Sequence, residues 1–232
     1  MTEHTSKKFD AELEGIRTRV LQMGGMVELQ IVKAMEGLGG GDLLLIDQVI
    51  ENDNRVNLLE IELDEACNQV IAKRQPTAVD LRMVSTVQKT ITDLERIGDE
   101  AKKIAKTAKQ LHTATSNFMP QIRLGHIADA VVDMLRTALD AYARLDTIAA
   151  AQVVRQDKEV DAEFKGIMRQ LITYMIEDPR TISQAIELMF VAKSVERIGD
   201  HAKNIAEYVV YMVKGRDVRH TSLEEIEREA TR

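Results

Sequence analysis

Two copies of the pentapeptide Glu-Arg-Ile-Gly-Asp, at residues 95–99 and 196–200, are the strongest chemical signal in the sequence. On a helix, the Glu and the Asp of one copy lie about 40° apart around the axis, so their carboxylates can reach a common point. Like charges at this spacing repel by a few tenths of a kcal/mol, and a mid-helix glycine costs about 1 kcal/mol relative to alanine. Because both penalties occur twice, we expect a compensating ligand, and carboxylate oxygens favour a metal cation.

A third acidic pair with the same spacing, Asp129 and Asp133, is a candidate for completing a site in the second half. The first half has no equivalent pair, since Gly24 and Glu28 stand at roughly corresponding places. The alternative interpretation is a solvated helix face that neighbouring Arg and Lys neutralise; the duplication of the motif favours the metal. The candidate metal ligands are Glu95, Asp99, Glu196, Asp200, Asp129 and Asp133.

The elements that must position these residues are long helices, because apolar residues recur every three or four positions along most of the chain. We expect Asp42 and Thr77 to be N-caps, Gly215 to be a C-cap, and a short helix to follow Ser222. From each motif's own apolar stripe, we expect its carboxylates to point away from the core. The pattern predicts six long helices at about 9–38, 43–73, 77–112, 121–148, 151–177 and 181–214.

The two halves of the chain are similar in sequence. Residues 94–99 return at 195–200 with an offset of 101, and Asp53 matches Asp157 with an offset of 104. Neighbouring helices joined by short loops pack antiparallel. The sequence therefore predicts an all-α fold, a tandem pair of three-helix bundles, with domains at 1–116 and 117–215 and a tail at 216–232.

Composition excludes several other classes. With 3 Pro, 12 Gly and 3% aromatic residues, the 232-residue chain lacks the turns of a β-sandwich or barrel. Its lone thiol, Cys67, has no disulfide partner, so we expect a small core residue. A net charge of −7 argues against nucleic-acid binding and against a DNA-binding repressor. The first residues lack a signal peptide's apolar stretch and no window resembles a membrane span, which predicts a soluble cytoplasmic protein.

Four segments together resemble the PhoU family over nearly the whole chain. They read MGGMVE, KRQPTAVDLR, DLERIGD and ERIGD, at residues 23–28, 73–82, 93–99 and 196–200. The resemblance implies two similar three-helix bundles, dimerisation, and multinuclear metal sites at acidic motifs, here Glu95 with Asp99 and Glu196 with Asp200. Asp129 and Asp133 also fit the motif, and without a first-half counterpart the first site is expected to be incomplete.

What the family implies for function is regulation of phosphate homeostasis. A family member represses the phosphate-starvation genes when phosphate is plentiful, and couples the ATPase subunit of the phosphate ABC transporter to a phosphate-sensing histidine kinase. The implied partners are a second copy, that kinase and that ATPase, with the membrane reached only through them and no nucleic acid. The implied cofactor is a divalent or multinuclear metal, Fe, Mn, Mg or Zn, and the sequence does not choose among them.

An enzymatic or metal-storage role for a carboxylate helical bundle is the alternative. Ferritin-like di-metal sites need a Glu-x-x-His motif on each of two helices, facing inward. The sequence contains no Glu-x-x-His, and His201, next to Asp200, points about 100° away from it. We therefore expect a protein that is not an enzyme.

Overall fold

The computed structural model describes residues 7–114 and 120–232, and within these ranges the regular structure is entirely helical. Seven α-helices and one 3-10 turn, Pro179–Thr181, follow one another along the chain. The predicted boundary between the two domains, at 116/117, lies outside the described residues. The helices are α1 Lys7–Gly40, α2 Leu43–Arg74, α3 Ala78–Thr113, α4 Gly125–Arg144, α5 Thr147–Glu177, α6 Ile182–Lys214 and α7 Leu223–Thr231.

The six long helices form two three-helix bundles, which confirms the predicted fold class. Helices α1, α2 and α3 pack on one another, as do α4, α5 and α6. The bundles meet through α3 against α6 and α1 against α4, while α7 packs on α5 and α6. Apolar side chains from the six long helices fill one continuous core, and among the described residues no helix is long and apolar enough to cross a membrane.

The lone cysteine lies in that core, as predicted. Cys67 on α2 is fully buried, and burial raises the pKa of its thiol to about 12. A thiol with so high a pKa stays protonated near neutral pH, so Cys67 acts as a small apolar residue.

Polar caps begin several helices. Asp42 caps α2 as predicted, since its carboxylate accepts hydrogen bonds from the backbone N–H groups of residues 44 and 45. Thr77 stands at the N-cap position of α3, but its side chain makes no capping hydrogen bond. Gly215 ends α6 with φ 74°, and Ser222 accepts from the N–H of Glu225 at the start of α7. These boundaries agree with the sequence except for the unused hydroxyl of Thr77.

The junction between α4 and α5 differs from the prediction. We expected the fourth helix to span 121–148, whereas it begins at Gly125 and ends at Arg144. Leu145 adopts the left-handed conformation, φ 59°, and Asp146 then caps α5 through the N–H groups of residues 148 and 149. Glycine or asparagine usually occupies the left-handed position at a helix end, and leucine is costly there. The boundary was missed because none of the residues that usually mark a helix end is present.

The caps provide a direct test of the fold. Asp146→Ala removes a carboxylate that accepts two backbone N–H bonds, so we expect the free energy of unfolding to fall by about 1 kcal/mol. Thr77→Ala is the matched control, because Thr77 has the same helix position without the bond, and we expect a change below about 0.5 kcal/mol. Urea denaturation followed by circular dichroism measures both, and equal losses would contradict the capping role of Asp146.

Candidate metal centres

The first acidic pair is half-buried on α3, which corrects the expectation that it points away from the core. Glu95 and Asp99 are both partly covered, and the nearest additional carboxylates, Glu60 and Asp53, come from α2. A single amphipathic stripe predicts one buried face. Helix α3, however, packs against α1, α2 and α6, so a larger part of its circumference is covered.

Burial and like charges raise the pKa values of Glu95 and Glu60 in this first cluster. For Glu95, burial is the largest cause, followed by the charges of Asp99, Glu60 and Asp53. Burial likewise raises the pKa of Glu60, and a hydrogen bond from Thr92 opposes the shift. Each carboxylate is thus kept ionised at a cost that a nearby cation would remove.

A buried ion pair lies beside this cluster. The carboxylate of Asp53 is fully buried and accepts a hydrogen bond from Lys102, with Nζ 2.6 Å from Oδ2. That hydrogen bond is the main reason why the pKa of Lys102 is raised. The other oxygen of Asp53, Oδ1, has no hydrogen-bond partner among the described residues. One oxygen of this buried carboxylate is therefore neutralised, and the other is unsatisfied.

The second acidic pair repeats the arrangement on α6. Burial raises the pKa of Asp200, and the charges of Glu196 and Asp157 add to the shift. Asp157 on α5 accepts from Lys203, with Nζ 2.7 Å from Oδ2. Burial lowers the pKa of Lys203, but the bond to Asp157 and the surrounding carboxylates outweigh it and leave the pKa raised.

Asp129 and Asp133 lie apart from this second cluster. Both are exposed on α4, and neither is among the charges that shift the pKa of Asp200. Asp133 instead takes part in an ion-pair network between the bundles, in which Arg136 contacts Asp133 at 3.4 Å and Glu28 at 2.8 Å. Asp157 is thus among the charges that act on Asp200, whereas both carboxylates of the α4 pair are exposed to solvent.

The glycine of each motif lies in close contact with another helix. A Cβ added to Gly98 would lie 3.3 Å from Oε1 of Gln30, and one added to Gly199 would lie 3.3 Å from Cγ1 of Val131. These neighbours belong to α1 and α4, the first helix of each bundle. Even an alanine at either position would require the neighbouring side chain to shift by a few tenths of an ångström.

A polar network between the bundles was missed by sequence reasoning. His201, adjacent to Asp200, is buried with Nδ1 2.6 Å from Oδ1 of Asp93 on α3. Asn204 donates to the same oxygen, and Arg197 pairs with the buried Glu100 at 3.0 Å. His201 thus joins α6 to α3 and does not turn towards the acidic pair. No local signal identifies such partners, because they are separated by about a hundred residues.

The residues present suit a hard cation by chemistry. The donors are all carboxylate oxygens: Glu95, Asp99 and Glu60 in the first bundle, and Glu196, Asp200 and Asp157 in the second. Among the residues that the structure describes, no group of three or more His, Cys, Asp or Glu is placed so that it could hold a metal ion. A cation shared by these carboxylates would require their side chains to rotate towards it. Sequence reasoning missed Glu60, and it noted Asp53 and Asp157 only as matching positions of the repeat.

Fold and site together define a class: a tandem three-helix-bundle protein with an acidic motif on the last long helix of each bundle. The model of a protein family described as "PhoU domain" matches two segments of the chain, residues 20–108 and 124–209. The phosphate-specific transport system accessory proteins PhoU of Serratia marcescens and Escherichia coli (strain K12) are 48% and 47% identical to the chain. The matches cover 98% of this chain and 93% and 94% of those proteins, respectively.

A solved structure agrees with these sequence matches. The crystal structure of PhoU from Pseudomonas aeruginosa superposes with a TM-score of 0.86 at 46% identity, covering 90% of this chain and 100% of that chain. The chain belongs to the PhoU family.

Glu207, one helical turn beyond Lys203, provides a pH test of the second cluster. Burial raises the pKa of Glu207 from 4.5 to about 7, with Lys203 opposing the shift and Asp157 adding to it. Between these pH values the folded state binds more protons than the unfolded state. The free energy of unfolding therefore falls as pH rises from 4.5 to 7, by up to about 1.4 kcal/mol per pH unit from this group.

We expect Glu207→Gln to flatten this dependence, because the amide cannot ionise. At pH 8 the variant should be more stable than the parent by about 1–3 kcal/mol, and near pH 4.5 the two should be similar. Denaturant titrations across this pH range measure the difference. Glu51→Gln, an exposed change on α2, is the control and should leave the profile unchanged. Parallel profiles for Glu207→Gln and the parent would contradict the raised pKa.

Proposed function

We propose that this chain is an accessory regulator of phosphate transport, and that it keeps the phosphate-starvation genes repressed while phosphate is plentiful. The observation that carries the proposal is similarity over almost the full length of relatives named as phosphate-specific transport accessory proteins. Both halves match the family, and both carry the complete Glu-Arg-Ile-Gly-Asp motif. An accessory role suits a fold built from long helices whose outer faces are open to partners.

The partners we propose are the ATPase subunit of the phosphate transporter, the phosphate-sensing histidine kinase and a second copy of the chain. Large apolar side chains exposed on the second bundle support protein–protein contact. Ile172 and Ile176 near the end of α5 and Ile186 and Phe190 on α6 are all exposed, on helices that pack side by side. Exposed apolar groups at helical spacing are typical of surfaces that bind other proteins.

We propose further that each bundle binds a divalent cation at its acidic motif. Glu95 and Asp99 would hold it in the first bundle with Glu60, and Glu196 and Asp200 in the second with Asp157. Support comes from the half-burial of the motif carboxylates and from the like charges that raise the pKa values of Glu95 and Asp200. A bound cation would supply positive charge that removes this repulsion and fixes the contact between the last two helices of each bundle.

Metal content tests the second site directly. Glu196→Gln combined with Asp200→Asn keeps side-chain size and removes two negative ligands, so we expect the metal of the second bundle to be lost with helicity unchanged. Elemental analysis of the purified full chain, equilibrated with Mn²⁺ or Fe²⁺ and then desalted, gives the stoichiometry, and circular dichroism gives the helicity. Unchanged metal content would reject Glu196 and Asp200 as ligands.

Two further variants decide which residue completes that site. Asp157→Asn should reduce metal content, because Asp157 is the carboxylate beside Asp200. Asp129→Asn combined with Asp133→Asn makes a comparable change on the exposed face of α4 and should leave metal content intact. Loss of metal in the α4 variant with retention in Asp157→Asn would assign the site to α4 instead.

The regulatory role is tested in cells. Deleting the gene should leave a phosphate-starvation reporter active in phosphate-rich medium, and restoring the chain should repress it. Restoring it with Glu95→Gln, Asp99→Asn, Glu196→Gln and Asp200→Asn together tests whether the acidic motifs are needed for repression. Immunoblots of each strain control for protein level, and normal repression in the deletion strain would overturn the proposed role.

A further inference from the structure

A cleft between α1 and α2 in the first bundle has features that the acidic motifs do not explain. It has a volume of about 120 Å³, is partly open to solvent, and lies between apolar side chains, including Met26 and Leu29, and four polar ones, Gln30, Lys33, Asn52 and Arg55. The polar set has two cations, two amides and no carboxylate. Its chemistry is therefore opposite to that of the neighbouring cluster of Glu95 and Asp99.

Gln30 provides the first indication of a ligand. Its side chain is only 4% exposed, and neither its Nε2 nor its Oε1 has a hydrogen-bond partner among the described residues. A buried amide without partners costs roughly 1–3 kcal/mol, so such groups are normally satisfied by protein, water or ligand. Gln30 lines the cleft, and its Oε1 lies against Gly98 on α3, so its amide stands between the cleft and the helix of the first motif.

Lys33 and Arg55 provide the second indication. Within the part of the chain that the structure describes, neither forms an ion pair with a carboxylate. Lys33 on α1 is half-buried and Arg55 is on α2, so the two cations come from the two helices that border the cleft. In a chain of net charge −7, two unpaired cations at one cleft form a local positive site.

The second bundle lacks this constellation, although it shares the scaffold. An offset of 104 aligns the buried positions of α1 with those of α4, for example Val27 with Val131 and Ile31 with Leu135. The same offset aligns the cleft residues Gln30, Lys33 and Arg55 with Met134, Thr137 and Glu159. The amide of Gln30 and both cations are therefore absent from the second copy, so the bundle architecture does not require these three residues.

We propose that this cleft binds a small oxyanion, the phosphate or carboxylate group of a free ion or of a small organic molecule. Lys33 and Arg55 would pair with its charge, Gln30 and Asn52 would donate to its oxygens, and Met26 and Leu29 would contact any apolar part. The nearby carboxylate of Asp53 does not line the cleft, and Lys102 neutralises one of its oxygens. Because Gln30 also abuts Gly98, an anion that binds Gln30 would be linked through this side chain to the helix that carries the first acidic motif.

Calorimetric titration of the purified full chain tests the site, with inorganic phosphate and phenyl phosphate as probes. We expect saturable binding of one anion per chain, weakened about tenfold or more by Lys33→Gln and by Arg55→Gln, because each removes a charge-assisted hydrogen bond. Lys165→Gln and Arg169→Gln on α5 are the matched controls, since both residues are exposed and unpaired among the described residues. We expect both controls to bind as the parent does.

Gln30→Met separates binding from folding. Methionine occupies the corresponding place in the second bundle, so we expect thermal melting to be retained while anion affinity falls several-fold. Tighter binding of phenyl phosphate than of phosphate identifies an organic ligand that uses the apolar wall, and equal binding identifies the free ion. No saturable binding of either probe, or equal affinity in Lys33→Gln and Arg55→Gln, overturns the proposal. The titration needs no partner, so its outcome is separate from that of the reporter experiment.

Discussion

A lysine–aspartate ion pair buried beside each acidic motif is the interaction on which the site depends. Asp53 and Asp157 are carboxylates in the interior of a helical bundle, where an unpaired charge costs several kcal/mol. Lys102 and Lys203 offset that cost, and each stands three residues after the motif aspartate on the same helix. The pair joins the second helix of each bundle to the third. It therefore keeps the motif carboxylates close to Asp53 in the first bundle and to Asp157 in the second.

The contact between the bundles adds polar pairs to the apolar core that the six long helices share. Within that continuous core, α3 and α6 also meet through a buried Asp93 with His201 and through Glu100 with Arg197. Hydrogen-bonded ionic groups are satisfied in one alignment only, so these pairs add to the specificity that helix packing provides. His201 and Arg197 flank Gly199 and Asp200, so the contacts that align the bundles are part of the same helical segment as the second acidic motif.

The regular parts of the fold were predictable from sequence, because the apolar period and the repeat are local signals. Six long helices and two bundles follow from them. The end of α4 was not predictable, since Leu145 adopts a conformation that leucine disfavours and the helical pattern runs through it. The motif carboxylates were identified by spacing, but their half-burial depends on how many neighbours surround α3. Glu60 was missed for the same reason: its proximity to Glu95 arises from packing between α2 and α3.

Differences between the two copies carry information that the shared scaffold does not. Glu60 stands beside Glu95 in the first bundle, and at its counterpart in the second the repeat places Phe164, whose ring lies under the ammonium of Lys193. Lys193 also pairs with Glu196, so a resident cation already offsets the second motif. The first motif has a third carboxylate in that place, although sequence comparison with α4 had pointed to the first half as the incomplete one.

Carboxylates crowd the first motif, where burial and the charges of Asp99, Glu60 and Asp53 raise the pKa of Glu95, and Arg96 lowers it. A cation is more strongly attracted where carboxylates are more numerous and fewer lysines compete for them. Among the described residues that line the cleft between α1 and α2 in that same bundle, the charged ones are the cations Lys33 and Arg55, and Gln30 of the cleft lies against Gly98 of the first motif. If both proposed ligands bind, the positive charge of a cation at the motif would favour an anion in the cleft, and by linkage the anion would favour the cation to the same extent.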